Sequence, residues 1–267
     1  MRKWIVFISI AITIVVFSIA ALRMHPYYHY ALKQTMTYPQ KKCLEDTLKI
    51  VFIGDSWAAY HRIYDTMLET MLCHNNIVVC VSSGGYVGAK SKEIYKRMFT
   101  STRPLLELRP DYCILSAGIN DAVAKMGKNY YTFHYLLIIH LLLNAGIRPV
   151  VIEIPEVNYH AIAKREPWLM KVRHCFSALI TGSEMYGFES YREALRQSLI
   201  KEGIMDSVVY VKKDTWNPNG YQDSRQLYLE DQTHLNTLGY QKMDSCIASE
   251  ILRDIDIRKR KKNYEYD

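Results

Sequence analysis

The six cysteines, Cys43, Cys73, Cys80, Cys113, Cys175 and Cys246, form no CxxC pair, which removes the zinc ribbon and the thioredoxin-type redox site. No HExxH and no close His/Asp cluster at metal-ligand spacing occurs, so no metal is expected. The chain has no internal repeat and no low-complexity linker. Beyond the N-terminus it has no second apolar run long enough for a bilayer, which excludes a polytopic transporter. Positive charge is also scarce where it would matter. Arg2 and Lys3 supply two charges and Arg258, Lys259, Arg260, Lys261 and Lys262 five, which together equal the formal net charge of +7. The body between them is neutral and offers no footprint for a polyanion, so nucleic acid is not an expected partner. The 267 residues are 49% hydrophobic and 23% charged, average for a globular chain, and disorder or a disulfide mini-scaffold is excluded.

Arg2 and Lys3 precede a 19-residue apolar run, Trp4 to Leu22, broken only by the hydroxyls of Ser9, Thr13 and Ser18. As a helix it would span roughly 28 Å, the hydrocarbon thickness of a bilayer. Signal-peptide cores are shorter, which favours a retained anchor, although Ser18, Ala20 and Ala21 also offer small residues for a cleavage site. The basic residues stand before the run and only Arg23 directly after it, which places the N-terminus in the cytoplasm and the remainder in the periplasm or at the cell surface. The sequence thus divides into an anchor over 1–23, a stalk over 24–47, a folded body over 48–257 and a basic C-terminal segment over 258–267.

Within the body, short β-branched runs alternate with helical patterns. Strands are expected at Leu48–Ile53, Ile77–Val81, Tyr112–Ser116, Pro149–Ile154 and Val208–Val211. Helices are expected at Ala58–Cys73 (with Ile63, Met67 and Met71 on one face), Ser91–Phe99, Tyr131–Asn144, Glu189–Lys201 and Tyr240–Arg253. Continuous apolar strands separated by helices predict a parallel sheet covered on both faces, with the chemistry at the C-terminal ends of its strands. Cys80 and Cys113 would lie in buried strands as small hydrophobes.

The first strand ends in Gly54-Asp55-Ser56-Trp57, where Ser56 is either an N-cap or an exposed hydroxyl at the top of the sheet. The second ends in Ser82-Ser83-Gly84-Gly85-Tyr86-Val87-Gly88, which lacks the GxGxxG spacing of a dinucleotide site. The third ends in Gly118-Ile119-Asn120-Asp121, where Asn120 either closes an Asx-turn or presents its amide to an anion. Asp231-Gln232-Thr233-His234 precedes the last helix, and its carboxylate and imidazole stand three apart on one loop.

In this chain order the four blocks resemble the SGNH/GDSL hydrolase superfamily over roughly residues 48–257, with Trp57 departing from the leucine of the family's first block. The resemblance implies a flavodoxin-like three-layer α/β/α sandwich with about five parallel strands, and ester chemistry without a cofactor. Ser56 would be the nucleophile, His234 its base and Asp231 the residue that orients the imidazole. The oxyanion would be held by the backbone N–H groups of Ser56 and Gly88, with Gly85 as second choice, and by the Asn120 side chain. Asp55 and Asp121 would be structural. With the anchor, this leads to the expectation of a membrane-bound, extracytoplasmic esterase removing acyl groups, above all O-acetyl, from a cell-envelope or exported polysaccharide. An O-acyltransferase passing the same acyl group to a glycan hydroxyl is the alternative, and a non-catalytic glycan-binding protein the third reading. Trp216 and Tyr221 would either stack on sugar rings or pack a long loop.

Overall fold

The computed structural model describes residues 2–24, 47–73, 78–218 and 225–264. Five strands form one sheet, all parallel: β1 (Leu48–Gly54), β2 (Val79–Gly85), β3 (Tyr112–Ser116), β4 (Arg148–Ile152) and β5 (Val209–Val211). Their order is β2-β1-β3-β4-β5, so the chain reverses its direction of winding between β1 and β3. In doubly wound folds such a switch point, here at the C-terminal end of β1, is where ligands are carried. Ile50, Val51, Phe52 and Ile53 are all buried, because helices cover both faces of the central strands.

The helices are α1 (Arg2–Met24), α2 (Ser56–His61), α3 (Asp65–Leu72), α4 (Ser91–Met98), α5 (Arg103–Glu107), α6 (Ile119–Val123), α7 (Lys128–Asn144), α8 (Tyr159–Arg165), α9 (Trp168–Thr181), α10 (Glu189–Lys201) and α11 (Thr237–Tyr264). α11 packs on α3, and α4 and α10 pack on α7. The three-layer sandwich expected from the sequence is therefore present.

The departures have physical reasons. The expected helix 58–73 is split by a 3-10 turn, Arg62–Tyr64. The turn shifts the helical phase, so Leu68 and Leu72 face the core while Ile63 is exposed. β2 runs four residues further than expected, since Ser82, Ser83, Gly84 and Gly85 continue the ladder beside Val51, Phe52, Ile53 and Gly54. Its expected start at Ile77 lies outside the described residues. Cys113 is a buried free thiol as expected, but Cys80 is disulfide-bonded and only partly buried, with a partner outside the described residues. α8 and α9 fall in a stretch where no helix is expected. α11 runs on into the basic segment, and Arg258 there pairs with Asp254 at 3.1 Å and donates to the Tyr112 hydroxyl. Residues 25–46, nearly all of the expected stalk, lie outside the described residues. Among the described residues no helix is long and apolar enough to cross a membrane, the side chains of α1 being described for 3–19 alone.

Candidate active site

β1 ends at Gly54, and the chain turns at once into α2, so Ser56 sits on the first turn above the switch point. Asp55 fixes that turn: its Oδ1 accepts from the Trp57 backbone N–H at 3.0 Å and from the Ser116 hydroxyl at 3.2 Å. Its Oδ2 lies 3.5 Å from Asn120 Nδ2. Burial pushes the Asp55 carboxyl up to about 7, against the lowering effect of the first two donors. Asp55 is wholly enclosed and faces the loop backbone, the structural role expected of it. Asp121 has the same role at the end of the neighbouring strand, accepting from the Ser91 N–H at 2.9 Å and its hydroxyl at 2.7 Å. Burial raises it to about 6.

His234 reaches Ser56 across 178 residues of sequence, with Nε2 2.9 Å from Oγ. Its Nδ1 lies 2.5 Å from Asp231 Oδ2. The other oxygen of Asp231 accepts from the backbone N–H groups of Thr233 and His234, each at 2.9 Å. Burial works to raise Asp231, but these donors and the imidazole outweigh it and hold the carboxyl below its ordinary value. The loop is thus built around an ionised carboxylate that orients the ring by one oxygen and its own backbone by the other. An Nδ1–H donated to that carboxylate leaves Nε2 free to accept the Ser56 proton.

Of the expected oxyanion groups, Ser56 lies at the start of α2 and Gly88 in the loop after β2, with φ +75°. Gly85 lies within β2, where a Cβ would meet Asp55 O at 2.1 Å, so its role is the close approach of α2 to the sheet. Asn120 Nδ2 donates to Ala89 O at 3.0 Å, which ties it to the Gly88 loop, while its contact with Asp55 at 3.5 Å is at the limit of a hydrogen bond. Among the described residues no group of three or more His, Cys, Asp or Glu side chains is arranged to hold a metal ion. Trp216 is buried and meets Trp57 edge-on at 6.0 Å, so it packs in the core against α2 rather than presenting a face to a sugar; Tyr221 lies outside the described residues.

Three features were not expected from the sequence. Tyr60 meets the His234 ring edge-on at 4.9 Å; its spacing of four from Ser56 on one helix face was the available signal. The second is a clamp from α8 on the His234 loop. Arg165 Nη2 donates to Asp231 O at 2.7 Å and to Thr233 Oγ1 at 3.1 Å, and Asn158 Nδ2 donates to Gln232 Oε1 at 2.7 Å. Gln232 itself has φ +56°. The third is His61, fully buried between carboxylates: Nε2 lies 2.8 Å from Asp244 Oδ1, and Nδ1 3.2 Å from Asp65 Oδ1 and 2.7 Å from Ser83 Oγ. Burial would lower His61, but the hydrogen bonds and charges of Asp244 and Asp65 raise it to about 9. Burial raises Asp244 in turn, yet both ring nitrogens face carboxylates, and we read the cluster as an imidazolium between them. It joins α2, α3, β2 and α11 directly beneath the site.

No protein-family model and no curated sequence matches this chain; its similarities are to solved structures. A GDSL-like lipase from Bacteroides thetaiotaomicron has a TM-score of 0.53 at 16% identity, over 80% of this chain and 92% of that one. A lipase/acylhydrolase from Enterococcus faecalis has a TM-score of 0.56 at 16% identity, over 76% and 94%. The acetyl xylan esterase AlAXEase has a TM-score of 0.50 at 15% identity, over 77% and 98%. The protein therefore has the fold of the GDSL-like hydrolases over nearly the full length of each.

Proposed function

We propose that this protein is a serine ester hydrolase, and the observation that carries the proposal is the unbroken chain from Ser56 Oγ through His234 to Asp231. His234 Nε2 takes the hydroxyl proton as Ser56 Oγ attacks the acyl carbonyl, and the imidazolium then gives that proton to the departing alkoxide. The backbone N–H groups of Ser56 and Gly88 and the Asn120 amide receive the developing oxyanion. Asn120 is suited to this because its weaker bond, to Asp55, is the one it gives up. Water repeats the sequence on the acyl-enzyme, returning free carboxylic acid and serine.

The substrate we favour is an O-acetylated polysaccharide of the cell envelope or an exported one. An acetyl xylan esterase shares the fold. The apolar run Trp4–Leu22 and its charge bias support a tethered domain outside the cytoplasm. The Cys80 disulfide is at home in an oxidising compartment. The test uses the full chain in phospholipid bilayers with p-nitrophenyl acetate and with an acetylated polysaccharide. Wild type should release acetate from both and be labelled by a fluorophosphonate. Ser56→Ala should lose labelling and turnover while keeping the wild-type circular dichroism. Equal activity in the two would refute the assignment, and acetate recovered on an added glycan instead of in solution would make the protein a transferase.

A further inference from the structure

α9 is amphipathic in an inverted sense. At about 100° per residue, Trp168, Leu169, Val172, Phe176, Leu179 and Ile180 fall on one arc of about 120°. His174, Ser177 and Ala178 occupy the opposite side and are buried against the domain. The apolar arc faces outward: Trp168 is 70% exposed, Leu169 62% and Leu179 73%. Lys171 and Arg173 stand on the two borders of the arc, one on each side. A helix with aromatic and aliphatic residues outward and the exposed Lys171 at the edge of that face is suited to an interface, where a long basic stem reaches the headgroups.

The structure also indicates which interface. α1 packs against α9, and Phe17 meets Phe176, in the middle of the arc, edge-on at 5.0 Å. Phe17 lies five residues before Leu22, the end of the apolar run, which is roughly 7–8 Å along a helix axis. Interfacial helices bury their apolar face about 5–10 Å into the headgroup and acyl boundary. If α1 crosses the bilayer, its contact with α9 holds the outward arc at that depth.

We propose that α9 lies in the outer membrane–water interface beside α1, with Trp168, Leu169, Val172, Leu179 and Ile180 among the acyl chains. Here "outer" means the face of the membrane away from the cytoplasm, and the proposal rests on α1 being the anchor. α9 follows α8, whose Arg165 and N-cap Asn158 hold the His234 loop, so the bilayer would bear on the segment that positions His234.

The full chain, with exposed Cys73 and Cys175 replaced by serine, is labelled with an environment-sensitive fluorophore at Leu169→Cys, Leu179→Cys, Ile10→Cys or Glu193→Cys. It is then reconstituted in phosphatidylcholine–phosphatidylglycerol vesicles containing lipids spin-labelled at shallow or deep positions. The labels at 169 and 179 should emit to the blue and lose most of their intensity to shallow spin labels, the label at 10 should respond to deep ones, and the label at 193 to neither. A quenched label at 10 with unshifted, unquenched labels at 169 and 179 overturns the proposal and leaves the anchor standing. Labels at 169 and 179 that shift to the blue yet escape lipid quenching mean that a protein surface covers them, which also overturns it. A label at 10 that no lipid quenches overturns the anchor reading and this proposal with it.

Discussion

Gly85→Ala is the substitution that most directly tests how Ser56 is placed. A methyl at Gly85 would lie 2.1 Å from Asp55 O, 2.6 Å from Ala59 N and 2.9 Å from Gly54 O. All three are backbone atoms, and two of them are partners in the first hydrogen bond of α2, Ala59 N–H to Asp55 O at 3.1 Å. No rotamer change relieves this, so α2 must rise from β2 by about 1 Å to reach even the shortest tolerable contact, near 3 Å. Overpacking of that kind costs about 1–3 kcal/mol, which lowers the melting temperature of a domain this size by roughly 2–12 °C. The same rise carries Ser56 away from His234, and a misplacement of about 1 Å can cost on the order of 10² in rate. Gly88→Ala is the control. It has φ +75° but nothing within 4 Å of an added Cβ, and it keeps its backbone N–H. It should cost about 1–2 kcal/mol of backbone strain and change turnover by only a few-fold. Thermal melts by circular dichroism and kcat/KM on p-nitrophenyl acetate measure both. A Gly85→Ala protein with wild-type melting and turnover would refute the close-approach argument.

Asp231→Asn should lower kcat by about 10³–10⁴ through loss of the imidazole's orientation, whereas Asp121→Asn should chiefly lower the melting temperature; steady-state kinetics giving the reverse order would exchange the two roles. Arg165→Met removes two hydrogen bonds from the His234 loop and should lower kcat roughly three- to tenfold with little change in KM, with partial rescue in Arg165→Lys; an unchanged kcat would show that the loop holds itself. His61 is raised from 6.5 to about 9 on folding, so its stabilisation is fully present below pH 6.5 and is lost as pH rises through 9. Denaturant midpoints measured from pH 6 to 10 should therefore fall more steeply for wild type than for His61→Gln, and parallel curves would mean that His61 is not charged in the folded protein.

What could be read from the sequence is what depends on local pattern. β3 and α10 have the expected bounds, because a short apolar run and a 3.6-residue apolar period mark them without help from the rest of the chain. Ser56, Asp231 and His234 each stand in a short block next to a strand or helix end, but only the folded chain shows them within hydrogen-bond distance of one another. α9 could not be read from the sequence, since its apolar residues point outward and hydrophobic periodicity is ordinarily taken as a sign of the core. Gly85 was open against Gly88 because only the ladder beside Gly54 reveals where β2 stops. The His61 cluster draws on α2, α3, β2 and α11, and pairs residues 183 apart, which no local spacing announces. Trp216 reads equally as a sugar platform or as packing until Trp57 is found against it.

The pairing of Ser56 with His234 also bears on the birth of the chain. Ser56 belongs to the first strand–helix unit of the body and His234 to the last loop, 178 residues later. At about 5–20 residues per second, synthesis delivers Ser56 roughly 9–36 s before His234. Through that interval α2 has neither the imidazole above it nor Asp244 beneath it, because both arrive with the C-terminal helix. A truncated or half-made chain therefore carries an ordinary alcohol at residue 56, and the Ser56–His234 hydrogen bond forms only when the last loop and helix dock.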